Sequence, residues 1–563
     1  MEKEENMKQE KIKKFLREYI LPSMIGILFF FIVYGATPLD VTNDAWIMAG
    51  YDESDLTQHY AGWVLFRSAD WSFPLGMIES MADGTGTMLT FTDSIPIVAI
   101  FFKAIDFMLP ETFQYFGWYI LICFILQAIA GYKIVRRKVD KPKWCYVGTL
   151  LFLLSPILLE RSFRHTALGS HWFVLFALLI YLKSRDARKE GKEVFSVGYV
   201  VLNVLTVLIH PYFLPMVMIF TVLTAWENIL QFRNWIKNGV YLVANVVLAY
   251  GAGWLVGALG WDIESARFGY GHFSMNLNAI INPLSLGGYE WSKFLPQLPQ
   301  IHGNYDGFNY LGLGILILAA VAALIGAKKW LAYADKKQWL KDNIYLILAL
   351  VFLTVFSVTN VVTWNDKELL NIPIPDWLYW KAGIFRASGR IFYPVYYVIF
   401  TYIIYQLAEM PQVRVGLFLL IAGVILQFVD MSGVLEEKHL MMAENAKFVS
   451  LLDDEVLTEA AKGRTKVTLA ATWDIVEMRR IAVWAGKNGM KTSYTVANSG
   501  IYPEADALMG KEIEALEAGN YDEAIIYATQ DLDVFTKWMN ALEEDSFTKY
   551  YYNDYYYLIP NLE

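Results

Sequence analysis

The sequence is short of charged residues and of cysteine, and each shortage excludes a class of protein. Only 18% of the 563 residues are charged, whereas an ordinary soluble domain has roughly 25%. Two cysteines are too few for the disulfide framework that stabilises many small secreted proteins. The chain also lacks a basic stripe interleaved with aromatic residues, so no nucleic-acid partner is predicted.

Several catalytic and nucleotide-binding motifs are missing as well. The sequence has no Walker A loop, no GxSxG nucleophile elbow, no HExxH zinc motif and no GxGxxG turn after a strand. A nucleotide-driven pump and a metalloprotease therefore have no support in the sequence.

The chain is rich in long runs of apolar residues. Hydrophobic residues make up 56% of it, in runs of about 15–22 residues that approach the width of a hydrocarbon core roughly 30 Å thick. The runs predict an α-helical polytopic membrane protein with about eleven transmembrane helices, at approximately 19–36, 114–132, 145–159, 172–183, 194–209, 212–230, 239–260, 310–327, 343–359, 391–409 and 414–430.

Residues 94–108 form a shorter apolar run that contains Lys103 and Asp106. A full crossing here would place every later loop on the side opposite to its charge bias. The run is therefore predicted to be a short re-entrant or interfacial helix.

Loop charges predict the orientation in the membrane, because basic residues near the ends of spans mark the cytoplasmic side. Residues 1–18 carry six Lys or Arg, whereas the loop 37–93 has nine acidic residues and one base. The counts predict a plasma-membrane protein with a cytoplasmic N-terminus. In this topology the long loops 37–93, 261–309 and 360–390 lie outside.

Residues 431–563 are predicted to be an extracytoplasmic soluble α/β domain. They contain 23 acidic and 12 basic residues, a net charge of −11, whereas the first 430 residues sum to +2. Strand patterns at 466–472, 492–497 and 523–529 alternate with helical patterns at 473–488, 510–519 and 530–543. A Tyr-rich hairpin is predicted over 550–560.

The first outside loop holds the most informative polar pattern. Asp55, His59, Trp63 and Arg67 follow one another at intervals of four, which predicts one face of a helix that also carries Gln58. Such a mixture suits a sugar site, because rings stack on pyranose faces and polar groups bond hydroxyls. The alternative is an exposed amphipathic helix whose charges are solvated.

Cationic residues cluster beside other span ends. Arg161, Arg164, His165 and His171 lie where lipid headgroups would be, and they predict either a phosphate site or simple interfacial anchoring. The two histidines are six residues apart, a poor spacing for two ligands on one helix, so no metal ligand is assigned.

Further candidates for substrate binding come from several segments. Arg386 and Arg390 are one helical turn apart and could grip a phosphate bidentately. The other members of this group are Asp93, His210, Tyr310 and Ser388.

Several strings resemble an uncharacterised bacterial family of polytopic proteins similar to the GT-C superfamily of membrane glycosyltransferases. The strings are DLTQHYAGWVLFRSADWSFPLG (55–76), FTDSIPIVAIFFK (91–103), LPETFQYFGWYILICFILQ (109–127), GFNYLGLG (307–314), FRASGRIFYPVYY (385–397) and LQFVD (426–430). The resemblance covers the membrane domain, 19–430, and implies a GT-C-like fold.

The resemblance also implies a reaction. A polyprenyl-phosphate-linked sugar would be the donor, a cell-surface glycan, polymer or lipid the acceptor, and an acid of the first external loop the base. Asp55 would take this role, with Asp40 as the second candidate, while Arg386 and Arg390 would hold the lipid phosphate.

An inverting transfer needs only such a base and cations for the departing phosphate. The tight DxD pair of many relatives is missing here, since Asp40 and Asp44 are four apart and Glu53 with Asp55 is the nearest equivalent. Dependence on a divalent cation, Mg²⁺ or Mn²⁺, is left open.

Two other functions remain compatible with the sequence. One is a transporter or flippase for a lipid-linked substrate, although such proteins usually contain internal repeats, and none is visible here. The other is a non-enzymatic assembly factor for the cell envelope whose acidic tail docks a partner.

Overall fold

The computed structural model describes residues 2–52, 55–261, 269–450, 452, 454–495 and 502–562, and 64% of it is helical. The α-helices are α1 Glu2–Phe15, α2 Leu21–Tyr34, α3 Ala45–Met48, α4 Asp55–Ser68, α5 Pro96–Ala104, α6 Phe116–Lys138, α7 Pro142–Leu153, α8 Pro156–Arg164, α9 Trp172–Lys189, α10 Val197–Ile209, α11 Phe213–Phe232, α12 Trp235–Leu255, α13 Leu313–Ala332, α14 Lys336–Val358, α15 Asp376–Ala382, α16 Tyr393–Ala408, α17 Val413–Asn445, α18 Glu455–Ala460, α19 Ile475–Lys487, α20 Pro503–Glu517 and α21 Leu532–Asn540. The strands are β1 Met77–Ile78, β2 Thr87–Met88, β3 Val361–Trp364, β4 Lys367–Asn371, β5 Lys466–Ala470, β6 Lys491–Thr492, β7 Ile525–Thr529, β8 Phe547–Tyr552 and β9 Tyr555–Pro560.

Within the described residues, nine helices are long and apolar enough to cross a membrane. A tenth span would be α7 together with α8, which are bent by 51° at the break before Pro156. Ten of the eleven predicted spans coincide with one helix each, and the predicted span 145–159 coincides with the bent pair α7 and α8. The helix α10 has only 13 residues, about 20 Å at 1.5 Å per residue, so it falls short of the hydrocarbon core. Eleven complete crossings therefore stay a prediction.

The run predicted to be re-entrant or interfacial forms the nine-residue helix α5, about 14 Å long. This length is too short for a crossing. The ammonium group of Lys103 donates to the carbonyl oxygens of Phe66 at 2.7 Å and Asp70 at 3.1 Å, so the charge inside the run is bound to protein.

The last long helix, α17, continues past position 430, where the sequence predicts the end of the membrane domain. Its 33 residues extend for about 50 Å. No proline interrupts it, and the single Gly433 near the predicted boundary is not enough to end a helix. The sheet domain therefore begins only after Asn445.

The tail contains a five-stranded sheet with the order β6-β5-β7-β9-β8. Strands β6, β5 and β7 are parallel, and the hairpin β8–β9 joins them antiparallel. The predicted strands and helices of the tail are present, although the second strand is only Lys491–Thr492 and residues 496–497 of its predicted range lie outside the described residues. Asn553 and Asp554 both have positive φ, as a two-residue hairpin turn requires.

The tail packs on the segment 37–93, which is predicted to be the first outside loop. Helix α19 lies against α4 so closely that a Cβ atom on Gly486 would lie 2.9 Å from Val64. The Thr492 N–H also donates to the Ser80 carbonyl oxygen at 2.8 Å. Residues 56–66 of α4 are all buried, against the tail and against α3, α5 and α8, which overturns the alternative of an exposed amphipathic helix.

The predicted orientation can be tested by labelling single cysteines. A cysteine replacing the exposed Asn561 should react with a membrane-impermeant maleimide in intact cells, because the loop charges place the tail outside. A cysteine replacing Glu190, in a loop predicted to be cytoplasmic, should react only after lysis. Cys123 and Cys145 are buried and contribute little background. The reverse pattern would show that the topology is inverted.

Candidate functional site

Five titratable residues from four separate segments meet at the ends of apolar helices. Asp55 and His59 come from α4, Asp93 from the loop before α5, His165 from the junction of α8 and α9, and His210 from the junction of α10 and α11. We call this group the His–Asp cluster. Strongly interacting titratable groups brought together from distant parts of a chain are typical of functional sites.

Asp93 is at the centre of the His–Asp cluster. Its Oδ1 lies 3.2 Å from His210 Nε2, and its Oδ2 lies 3.8 Å from both His59 Nε2 and His165 Nδ1. The other ring nitrogen of His165, Nε2, lies 3.9 Å from Asp55 Oδ2. One potential ligand atom each from His59, Asp93 and His165 lies within 4.8 Å of the others, close enough to hold a metal ion.

The loop that carries Asp93 is fixed directly on α4. The Ser94 hydroxyl donates to the His59 carbonyl oxygen at 2.7 Å. A Cβ atom on Gly62 would come within 2.3 Å of Thr92 Oγ1, so only glycine permits this approach. Asp93 itself has φ 56°, a left-handed conformation that is uncommon for a residue with a side chain and is found disproportionately at functional sites.

Burial and charge set the protonation of the cluster. Burial lowers the pKa of His59, and burial together with the positive charges of Arg390 and Arg161 lowers the pKa of His165. Burial opposes the ionisation of Asp93, but the neighbouring His210 and His59 outweigh it and lower the pKa of this carboxyl group. At neutral pH His59 and His165 are therefore neutral imidazoles beside the Asp93 carboxylate.

The tail contributes a cation to this site. Arg479 of α19 places its Nη2 3.0 Å from Asp55 Oδ1 and 3.0 Å from Gln58 Oε1. The Asp55 side chain is still 33% exposed, so solvent or a substrate can reach it. Arg479 is absent from the predicted site, because nothing in the tail sequence indicates which loop it contacts.

A second ionic network lies beside the cluster. Asp306 accepts from Arg161 Nη2 at 2.7 Å and from Arg390 through Nε at 3.1 Å and Nη2 at 2.8 Å. Glu160 pairs with Arg161 at 2.7 Å and with Arg164 at 3.3 Å. Burial opposes ionisation of Asp306, but Arg390 and Arg161 hold the pKa of its carboxyl group well below the usual range.

The sequence does not predict either carboxylate of this network, Asp306 or Glu160, as a site residue. Asp306 directly precedes the string GFNYLGLG, and Glu160 precedes the predicted Arg161, so both lie next to segments that the sequence singles out.

Other predicted residues lie in structural contacts. The Trp63 indole donates to the Phe113 carbonyl oxygen, Arg67 binds Asp106, and Asp40 accepts from Thr42 within its own turn. The four-residue spacing drifts by about 40° at each step along a helix, which explains why Asp55 and His59 face the cluster and Arg67 does not. Glu53 lies outside the described residues.

Predicted residues near the last spans also have defined partners. The Tyr310 hydroxyl donates to Asp430 at 3.0 Å, and Ser388 donates to the Ser357 carbonyl oxygen at 3.4 Å. The guanidinium group of Arg386 lies 5.8 Å from the centre of the Phe273 ring. Arg386 and Arg390 thus have different surroundings, because Arg390 is the one that binds Asp306.

A cavity of about 280 Å³ separates part of the tail from α4. Its walls include Gln58, Ala471 and Ser493, so it opens at the carboxyl ends of the parallel strands β5 and β6, where α/β domains usually bind ligands. The cavity shares Gln58 with the surroundings of Asp55.

Comparison with protein families gives one match. The model of a family described as a domain of unknown function, DUF6311, matches residues 23–432, which include the whole His–Asp cluster and end within α17. A search of curated proteins found no match. Arg479 and most of the cavity wall therefore come from a part of the chain beyond the family domain.

Proposed function

The chain belongs to the DUF6311 family, which is described as a domain of unknown function, and we propose that it is a membrane glycosyltransferase. It transfers a sugar from a polyprenyl-phosphate donor to a cell-surface glycan, polymer or lipid, on the membrane face predicted to be outer. One observation carries the proposal. A partly exposed carboxylate, Asp55, lies beside the partly buried imidazole of His165 and the buried guanidinium group of Arg479 at the ends of apolar helices, where a lipid phosphate would be.

The reaction requires one base. Asp55 takes the proton of an acceptor hydroxyl group while the hydroxyl oxygen forms a bond to the anomeric carbon of the sugar. The bond between that carbon and the phosphate oxygen breaks, and the electron pair leaves with the lipid phosphate. Because phosphate is a good leaving group, no general acid is needed. Attack opposite to the leaving group inverts the anomeric centre.

Cations stabilise the departing phosphate. Arg390 already binds both carboxylate oxygens of Asp306 through its planar guanidinium group, so we assign Arg390 a structural role in the site. Arg386, at the same end of the helices, is the better candidate for direct contact with the donor phosphate. The predicted pair of arginines is thereby divided into one binding and one structural residue.

The acceptor enters from the side of the tail. The cavity beside Gln58 is lined by both apolar and polar side chains, as sites for small polar ligands usually are. It also lies next to Arg479, which orients Asp55. An acceptor hydroxyl group bound here reaches the base without passing through the lipid.

Lysine substitutions should separate the two arginines. Arg386→Lys is expected to weaken donor binding about 5–150-fold, because one charged hydrogen bond contributes about 1–3 kcal/mol. Arg390→Lys is expected to lower the Tm as well, since lysine cannot form the bidentate pair with Asp306. Binding of a polyprenyl-phosphate sugar and thermal unfolding in detergent measure the two effects. Unchanged donor affinity in Arg386→Lys would mean that this arginine only reaches ordinary lipid headgroups.

A reconstituted system tests the reaction itself. Proteoliposomes containing the full chain receive a polyprenyl-phosphate donor with a labelled sugar and an extract of cell-envelope acceptors. We expect the label in the acceptor fraction and free polyprenyl phosphate in the lipid fraction. Movement of intact donor between leaflets without cleavage would instead identify a flippase and refute the proposal.

A further inference from the structure

We propose that His59, Asp93 and His165 bind a divalent transition-metal ion, and that Zn²⁺ fits this donor set best. The inference concerns the His–Asp cluster alone and does not depend on glycosyl transfer. It also goes beyond the sequence, in which only His165 and His171 are near enough to be considered together, at a spacing that disfavours a site. The structure pairs His165 with His59 from a different element.

The spacing of the three ligands suits a shared ion better than direct hydrogen bonds. Asp93 Oδ2 lies 3.8 Å from His59 Nε2 and from His165 Nδ1, which is too long for a hydrogen bond. In a tetrahedral zinc site with bonds of about 2.0–2.1 Å, neighbouring ligand atoms are about 3.4 Å apart. The two distances to Asp93 Oδ2 are thus about 0.4 Å longer than in such a site, and one ligand atom from each of the three residues lies within 4.8 Å of the others.

Within the part of the chain that the structure describes, the two imidazole nitrogens that face Asp93 have no hydrogen-bond partner. His59 Nε2 and His165 Nδ1 are both buried and without a hydrogen-bond partner among the described residues, and the His59 side chain is fully buried. Buried polar atoms are nearly always satisfied, so an unsatisfied pair aimed at one carboxylate oxygen indicates a ligand between them.

The hydrogen bonds of His59 indicate its tautomer. The Thr166 hydroxyl group lies 3.3 Å from the Phe163 carbonyl oxygen and 3.5 Å from His59 Nδ1, so when its single proton goes to the carbonyl oxygen it accepts from His59 Nδ1. His59 then carries its proton on Nδ1, and the lone pair of Nε2 points towards the Asp93 carboxylate. Two lone pairs facing each other repel, and a cation between them removes the repulsion.

His210 holds the carboxylate in place from the other side. The backbone N–H of Tyr212 donates to His210 Nδ1 at 3.2 Å, so the proton of a neutral His210 is on Nε2 and is donated to Asp93 Oδ1 at 3.2 Å. This bond leaves Oδ2 for the metal. Partners of this kind orient the ligands of many metal sites.

The donor types select the ion. Two imidazole nitrogens and one carboxylate oxygen favour Zn²⁺ and similar transition metals, whereas Mg²⁺ and Ca²⁺ prefer oxygen ligands. Three protein ligands leave a fourth tetrahedral position for water or an oxygen atom of a substrate. Asp55 lies on the far side of His165, 3.9 Å from its Nε2, and is not part of the ligand set.

Zinc binding by the full chain tests the proposal. The protein is purified in detergent, stripped with a chelator and titrated with Zn²⁺ against a chromophoric competitor. We expect one high-affinity Zn²⁺ per chain. His59→Gln, Asp93→Asn and His165→Gln should each lower the affinity at least about 100-fold, and His210→Gln about 10–100-fold, the range for residues that orient a ligand.

Two controls make the result specific. His439→Gln removes a histidine bound to the Ile32 carbonyl oxygen, and the double change His272→Gln with His302→Gln removes a second pair of neighbouring rings. Neither should change the affinity. Zinc binding that survives both His59→Gln and His165→Gln, or that disappears in the double variant, would overturn the proposal.

A further measurement uses the unsubstituted protein, so its result does not depend on whether the variants fold. X-ray absorption at the zinc edge should show scattering from two imidazole rings and from additional oxygen atoms. A spectrum with oxygen ligands alone would reject the site.

Discussion

Replacing Asp55 by Asn should lower the rate of sugar transfer about 10²–10⁴-fold, the usual contribution of a general base. Asn keeps the size of the side chain, and its amide oxygen can still accept from Arg479 Nη2, which lies 3.0 Å from the carboxylate in the native protein. The substitution therefore removes basicity with little change in shape. Donor binding should be preserved, and so should zinc content, because Asp55 is outside the proposed ligand set.

The comparison variants for this experiment come from the same loop. Asp70→Asn changes an exposed acid that has no contact with the His–Asp cluster among the described residues, and it should leave transfer unaltered. Asp40→Asn tests the second candidate from the sequence. If transfer is lost in Asp40→Asn but retained in Asp55→Asn, the base has been assigned to the wrong residue. Equal activity in all three variants would remove the support for a carboxylate base.

Sequence patterns predict the helices and strands well because those elements depend on local hydrophobicity. The apolar runs coincide with helices, and the tail strands appear at β5, β7 and the β8–β9 hairpin. Local patterns are less informative about where an element ends. Helix α17 continues 15 residues beyond the predicted boundary, since the polar residues after 430 favour a helix as readily as a loop.

The sequence predicts most residues of the candidate site, but it does not predict which of them contact one another. Asp55, His59, Asp93, His165 and His210 are all in segments that the sequence singles out, and the fold brings them together.

The partners that define their roles are distant in sequence. Arg479 is more than 400 residues from Asp55 and Gln58, and Asp306 is 84 residues from Arg390. Periodicity and loop charge contain no information on such pairs, so the sequence predicts Arg390 as a phosphate ligand although it binds Asp306.

Replacing Asp306 by Asn should lower the free energy of unfolding by about 3–5 kcal/mol, because removing one member of a buried ion pair leaves an uncompensated charge. The Asp306 side chain is 9% exposed and holds the guanidinium groups of Arg161 and Arg390, which are 2% and 11% exposed. Glu160 neutralises only part of this charge. The pKa of Asp306 is depressed in the folded protein, so its stabilisation is complete above the ordinary carboxyl pKa and is lost as the pH falls below it.

A matched variant at the protein surface shows whether the loss of stability comes from the buried ion pair or from removing any acidic side chain. Asp140 is 70% exposed and lies 3.4 Å from Arg136, so Asp140→Asn should cost less than about 1 kcal/mol. Both variants are unfolded in detergent while the loss of helical signal is recorded, which gives the difference between their free energies of unfolding. Removing one guanidinium group as well, in Asp306→Asn with Arg390→Gln, should restore part of the lost stability, since the two residues interact directly. Similar losses for Asp306→Asn and Asp140→Asn would show that the network is solvated, and Arg390 would again be a candidate for binding the donor phosphate.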